Sequence, residues 1–119
     1  MLNVEKKYIN QYIRKSIKYI DDNLNKRITI DEICKSINLS KYYFSRMFKS
    51  QLGITPYRYI LNRKMEEVKK DLLEDIDINT IVSNYDFYDL SHLNKSFVKI
   101  YKITPLEFQD KYRNKNLNK

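Results

Sequence analysis

Glycine occurs once in this chain and proline twice, so its loops must be short and few, and Gly53, Pro56 and Pro105 become punctuation marks. The single cysteine, Cys34, excludes a disulfide framework and any multi-cysteine zinc site. There is one histidine, and no Ser–His–Asp, Cys–His or paired-carboxylate pattern accompanies it, so no enzyme, metal ligand set or cofactor site is expected. No apolar run approaches the roughly 18 residues of a membrane span, and the opening MLNVEKKYIN lacks the apolar core of a signal peptide. The expected setting is therefore soluble and intracellular.

What is abundant is positive charge. Lysine and arginine exceed the acids by enough to give a net charge of +8 and a pI near 9.5, which favours a polyanionic partner. Nucleic acid is the leading choice; an anionic membrane surface or a merely solvated basic face are the weaker ones. Eleven tyrosines raise a single-strand stacking reading, but most fall at core or capping positions of the helices below.

The periodicity predicts helices throughout. The first covers Val4 to Asn23, with Ile9, Ile13, Ile17, Ile20 and Leu24 on one stripe and Lys7, Arg14, Lys15 and Lys18 on the other face. The second starts at Thr29, where Thr29 and Glu32 have capping-box spacing, and buries Ile30, Ile33, Cys34 and Ile37. Cys34 reads as core rather than nucleophile. Asn38-Leu39-Ser40 makes a turn, with Leu39 as plug and Ser40 as N-cap. The third helix, Lys41 to about Gln51, turns Phe44, Met47 and Phe48 inward and Lys41, Tyr42, Ser45, Arg46 and Lys49 outward, until Gly53 stops it. This helix–turn–basic helix is the pattern of a helix-turn-helix, whose second helix enters the DNA major groove.

Thr55-Pro56 opens a fourth helix, to about Leu73, with Tyr59, Ile60, Met65, Val68 and Leu72 inward and an acidic far end from Glu66 to Asp77 that should face away from phosphates. A fifth follows an N-cap at Asp77. Asn84 to Phe87 forms a second turn, and Asp89 caps a sixth helix, Leu90 to about Tyr101, with Ser91, Asn94, Lys95 and Lys99 outward. Thr104-Pro105 opens the last helix, which carries Leu106, Phe108 and Tyr112; the tail from Asn114 is expected to be unstructured.

The second half repeats the first. Ile54-Thr55-Pro56 returns 49 residues on as Ile103-Thr104-Pro105, with Phe44, Arg46, Phe48 and Tyr59 returning as Leu93, Lys95, Phe97 and Phe108. Upstream of the turn the offset is 48, carrying Ile30, Ile33 and Cys34 to Ile78, Ile81 and Val82, so the second turn is one residue longer. A fourth helix of roughly 18 residues would be about 27 Å long, against about 34 Å between successive major grooves on one DNA face; some DNA bending would absorb the mismatch. The expected fold is all-α: seven helices in two helix-turn-helix subdomains joined by a long linker helix, a homeodomain-like architecture. The expected divisions are residues 1–55, 56–74, 75–113 and the tail 114–119.

From about Tyr8 to Arg113 the chain resembles the AraC/XylS family of bacterial transcription regulators. The resemblance rests on TIDEICKSINLSKYYFSRMFKSQLGITPYRYI, on INTIVSNYDFYDLSHLNKSFVKIYKITPLEFQDKYR, and on Tyr59, Lys64 and Val68 in the helix between. It implies two helix-turn-helix units acting as one module on double-stranded DNA, their recognition helices (residues 41–51 and 90–101) in successive major grooves. It also implies transcriptional control, most often activation through RNA polymerase. By family position the base-contact candidates are Lys41, Tyr42, Ser45 and Arg46, then Ser91, His92, Asn94 and Lys95; Lys49 and Lys99, with Lys41, are phosphate-contact candidates. Three departures stand out: Asp86 and Lys102 replace usual glycines, and Leu90 replaces a usual polar reader. They make the first unit the expected carrier of sequence specificity, and they motivate the rival reading of a helical protein-interaction adaptor that lost DNA readout. The Met1 start and lack of a sensory domain fit a stand-alone factor binding as a monomer, and equally the DNA-binding end of a longer, dimeric regulator.

Overall fold

The computed structural model describes residues 9–117, with side chains through Arg113. Among them are seven helices and no strand: α1 Gln11–Asp22, α2 Ile30–Ile37, α3 Lys41–Leu52, α4 Pro56–Leu73, α5 Ile78–Asn84, α6 Leu90–Tyr101 and α7 Pro105–Leu117. The chain divides into two compact units between Leu61 and Asn62, inside α4. The first third of the long helix, residues 56–61, thus falls in the first unit and the remaining two thirds, residues 62–73, in the second.

The helices form where capping chemistry and apolar period agree. Thr29, Ser40 and Asp89 each accept the backbone N–H three residues on, and Asp77 that of Asn79. The Thr29 box is only half closed, because the Glu32 carboxylate takes the hydroxyls of Thr29 and Tyr19. The complete box sits at α7: Thr104 N–H donates to Glu107 Oε1 at 2.8 Å, and Glu107 N–H to Thr104 Oγ1 at 3.1 Å. This holds the Glu107 carboxyl below its ordinary range, through the backbone bond first.

Two boundaries differ from the periodicity. The first helix does not run on from Val4: Ile9 and Asn10 are non-helical, and Asn10 caps α1 by accepting Tyr12 N–H at 2.6 Å. Asn10 N–H meanwhile donates to Gln51 Oε1 at 2.7 Å, a tertiary bond that outranks the local pattern. Val4 to Tyr8 lie outside the described residues. At the other end the expected unstructured tail is helical through Leu117, with residues 118–119 outside the description.

In unit 1 Ile13, Ile20, Ile33, Cys34, Phe44, Phe48 and Ile60 form one buried cluster, with Leu39 packed on its edge. Full burial of each large apolar side chain contributes about 1.5–3 kcal/mol. Ser16, unexpected in a core, is buried with its hydroxyl donating to Ile13 O at 2.6 Å. In unit 2 Met65, Val68, Leu72, Ile81, Phe87, Leu93 and Phe97 are buried. Leu106 stays exposed, while Phe108 and Tyr112 pack ring to ring at 4.8 Å. The repeat extends to contact geometry. Phe48 meets Tyr59 edge-on at 5.6 Å, and Phe97 meets Phe108 edge-on at 5.7 Å.

Candidate nucleic-acid interface

Each unit builds its turn the same way. In the first, Asn38 ends α2 in the left-handed region at φ 58°, Leu39 plugs the core edge and Ser40 caps α3. In the second, Asp86 is left-handed at φ 58°, Phe87 is the buried plug and Asp89 caps α6. Leu39 N–H donates to Cys34 O at 3.1 Å, and Phe87 N–H to Val82 O at 3.0 Å. Asn38 and Leu39 thus match Asp86 and Phe87 at offset 48, whereas Ser40 matches Asp89 at offset 49. The inserted residue is Tyr88, whose side chain is 91% exposed. Asp tolerates left-handed geometry better than most residues, which explains how the turn survives without glycine. Gly53 and Lys102, again 49 apart, are the left-handed C-caps of α3 and α6 at φ 81° and 69°.

The second turn is also braced from α4. The buried Lys64 ammonium donates to Tyr85 O at 2.8 Å. Burial pulls its pKa down, opposed by the nearby Asp86 carboxylate. Tyr85 Oη donates to Asp71 at 2.8 Å, and burial, reinforced by that bond, pushes the Tyr85 hydroxyl well above its ordinary range. Much of the acidic end of α4 is occupied within unit 2: Glu67 by Arg63 and Lys70, Asp75 by Arg113.

On α3, Lys41, Tyr42, Arg46 and Lys49 are exposed and Ser45 is half-buried. Arg46 Nη1 donates to Tyr42 Oη at 2.9 Å, with the guanidinium 5.4 Å from the ring centre. The aromatic thus orients the guanidinium, which keeps further N–H donors for an acceptor. Lys41 pairs with Asp31 at 3.3 Å in a solvent-exposed contact that a phosphate could displace. Ser45, Arg46 and Lys49 line a recess with Ile30, Ser50, Thr55, Pro56 and Tyr57, none of them acidic. On α6 a smaller recess is lined by Asn94, Lys95, Val98 and Lys99, which are the repeat equivalents of Ser45, Arg46, Lys49 and Ser50.

Ser91, His92, Lys95 and Lys99 are exposed on α6, and Asn94 is half-buried like Ser45. His92 is engaged: its Nδ1 accepts Tyr88 N–H at 3.2 Å and its ring meets Phe87 edge-on at 5.4 Å. Sequence reasoning missed Ser50 and Tyr57 beside the first recess. It also missed the exposed Tyr43, which the 49-residue offset sets opposite His92. Cys34 is buried, and its thiol is pushed up by burial and then by Asp31, away from thiolate chemistry. Among the described residues no group of acidic, histidine or cysteine side chains could hold a metal ion, and no helix is long and apolar enough to cross a membrane.

Comparisons with known proteins agree with this geometry. A family model described as a helix-turn-helix domain matches residues 33–111. The multiple antibiotic resistance protein MarA of Salmonella typhimurium is 28% identical over 107 residues, covering 89% of this chain and 81% of that protein. The uncharacterized HTH-type transcriptional regulator YobQ of Bacillus subtilis is 35% identical over 85 residues, 71% of this chain and 35% of that one. The probable transcriptional regulator LumQ of Photobacterium leiognathi is 28% identical over 92 residues, and the chain spans only 37% of its length. Among solved structures, the C-terminal domain of AraT, a response regulator from Geobacillus stearothermophilus, superposes with a TM-score of 0.83 at 22% identity, covering 87% of this chain and 88% of that one. The DNA-binding domain of AdpA, solved with a target DNA, gives 0.82 at 15% identity, covering 89% and 96%. At those identities the structures share the fold.

Proposed function

The chain belongs to the AraC/XylS family of helix-turn-helix transcription regulators, and from that premise we propose that it recognises one asymmetric duplex DNA site with both units. In this reading α3 and α6 enter successive major grooves. Tyr42, Ser45 and Arg46 read bases in the first, with Lys41 at their edge, and Ser91, His92, Asn94 and Lys95 face the second. Lys49 and Lys99 neutralise phosphates. Regulation is by activation through contact with RNA polymerase, in the bacterial cytoplasm. The bound species is a monomer if the chain acts alone and a dimer if it is the DNA-binding end of a longer regulator. No step in this reading is catalytic or needs a cofactor.

The observation that carries the reading is the doubled site. The same left-handed residue, plug, cap and basic helix occur twice, and the two recesses are lined from the same helix positions. Cations on such faces bind phosphate and base edges, whose negative potential supplies most of the affinity. The first unit is the stronger reader, because Arg46 arrives oriented by Tyr42 whereas Leu90 opens α6 with an apolar side chain. That exposed Leu90, beside Tyr88, is also what favours the adaptor alternative.

Enrichment of bound sites from random duplex DNA tests the reading. A single motif with contacts on two major grooves is expected, with log affinity falling linearly against log salt. Arg46→Ala should lose about 1–3 kcal/mol on the enriched site and much less on random duplex. Enrichment of no motif would favour the adaptor, and equal losses on both duplexes would remove Arg46 from base readout.

A further inference from the structure

The second turn contains one residue more than the first, and that residue brings a backbone N–H that the first turn does not have. The N–H of Tyr88 is taken up by His92 Nδ1 at 3.2 Å. An imidazole nitrogen that accepts a hydrogen bond carries no proton, so in the neutral ring the proton resides on Nε2. Among the described residues Nε2 has no partner. The ring is further held by its edge-on contact with Phe87, itself 7% exposed, and the His92 backbone N–H is fixed by Asp89 at 2.8 Å. His92 is the third residue of α6, within the N-terminal part of a recognition helix that meets base edges.

We propose that the inserted Tyr88 locks His92 as the Nε2–H tautomer, making it an obligate hydrogen-bond donor to the DNA in the second major groove. Such a donor suits guanine N7 or O6, adenine N7, thymine O4 or a phosphate oxygen, and it rejects the amino group of cytosine. The first unit, with no insertion and Tyr43 at the matching place, has no equivalent. The proposal rests on the DNA-binding reading above and assigns the second unit a polar reader that Leu90 does not supply.

Two substitutions separate this role from a structural one, because each keeps a different half of the imidazole. His92→Asn keeps an acceptor near the Nδ1 position and loses the outer donor. His92→Gln keeps a donor near the Nε2 position and loses the turn acceptor. Binding is measured by fluorescence anisotropy on the duplex enriched by the wild type. His92→Asn should bind roughly ten-fold more weakly while melting like the wild type, and His92→Gln should stay within about three-fold in affinity although its turn is loosened. Long-range proton–nitrogen correlation on the free protein, unambiguous with one histidine, should show Nε2 protonated and Nδ1 bare at pH 8.

Replacing second-half guanines or adenines by their 7-deaza analogues, guanine by 2-aminopurine (no O6), thymine by 5-methyl-2-pyrimidinone (no O4), or single phosphates by methylphosphonates, tells the acceptors apart. The gap between wild type and His92→Asn should close on one of these duplexes. The reverse ranking of the two variants, an Nδ1–H tautomer, or a gap that no altered duplex closes would each overturn the proposal. A wild type that enriches no site at all would instead overturn the regulator reading, before any His92 variant is compared.

Discussion

The left-handed C-caps offer a measurement in which the protein supplies its own control. Gly53 and Lys102 occupy equivalent places, at φ 81° and 69°, one with a β-carbon and one without. Holding a residue with a β-carbon in this region costs about 1–2 kcal/mol. Glycine avoids that cost but gives up about 0.4–1 kcal/mol through the greater freedom of the unfolded chain. The net advantage of glycine is therefore about 0.5–1 kcal/mol. Lys102 also places its ammonium 3.1 Å from Lys99 O on the exposed surface, so the proper comparison is Lys102→Gly against Lys102→Ala, both of which lack that contact. At Gly53 a β-carbon would meet nothing within 4 Å, so Gly53→Ala carries the backbone cost with no steric addition.

Lys102→Gly should thus exceed Lys102→Ala by about 0.5–1 kcal/mol, and Gly53→Ala should lose a similar amount. This corresponds to melting shifts of about 3–6 °C in opposite directions for units of this size. Thermal and urea unfolding by far-ultraviolet circular dichroism gives the magnitudes, and amide exchange in α3 and α6 assigns each change to its unit. If Lys102→Gly proves no more stable than Lys102→Ala, or if Gly53→Ala costs nothing, the backbone account of these caps is wrong.

Two further outcomes follow from the brace behind the second turn. Tyr85→Phe removes a 2.8 Å bond to the Asp71 carboxylate and should cost about 1–2 kcal/mol at neutral pH, a partly exposed charge-assisted bond. Because the folded hydroxyl titrates above its ordinary value of 10, its contribution is complete below pH 10 and is lost as pH rises beyond it. The gap between wild type and Tyr85→Phe in urea titrations should therefore narrow above pH 10, and a gap that widened there would contradict the bond. Lys64→Met strips the donor from Tyr85 O, an unpaired carbonyl worth about 1–3 kcal/mol, while relieving the burial of an ammonium. A net loss of about 1 kcal/mol, restored in large part by Lys64→Arg, is expected in the urea midpoint; a Lys64→Met protein as stable as the wild type would show that the brace is dispensable.

Most of the secondary structure was legible in the sequence, because helix starts and stops here obey local chemistry. Thr29, Ser40, Asp77 and Asp89 cap where they were expected to, Pro56 and Pro105 open their helices, and Gly53 closes α3. The doubled helix-turn-helix was legible too, since the 48- and 49-residue offsets compare like with like along one chain. The outward faces of α3 and α6 follow from the helical period alone, which is why the candidate readers lie on exposed or half-buried positions.

Tertiary structure decided whatever depends on partners far apart in sequence or on which of several donors meets which acceptor. The start of α1 at Gln11 is held by the Asn10 cap together with Gln51, 41 residues away from Asn10. The burial of Lys64 was invisible to a helical wheel because its partner, Tyr85 O, belongs to a turn 21 residues on. The offset change located an extra residue only to the second turn; the left-handed Asp86 and the plug Phe87 identified it as Tyr88. Sequence likewise offered His92 as a base-contact candidate, without saying which ring nitrogen would face the DNA. The ring is oriented because the spare N–H of an inserted residue lies within hydrogen-bond reach of Nδ1, a relation set by turn geometry and not by residue spacing.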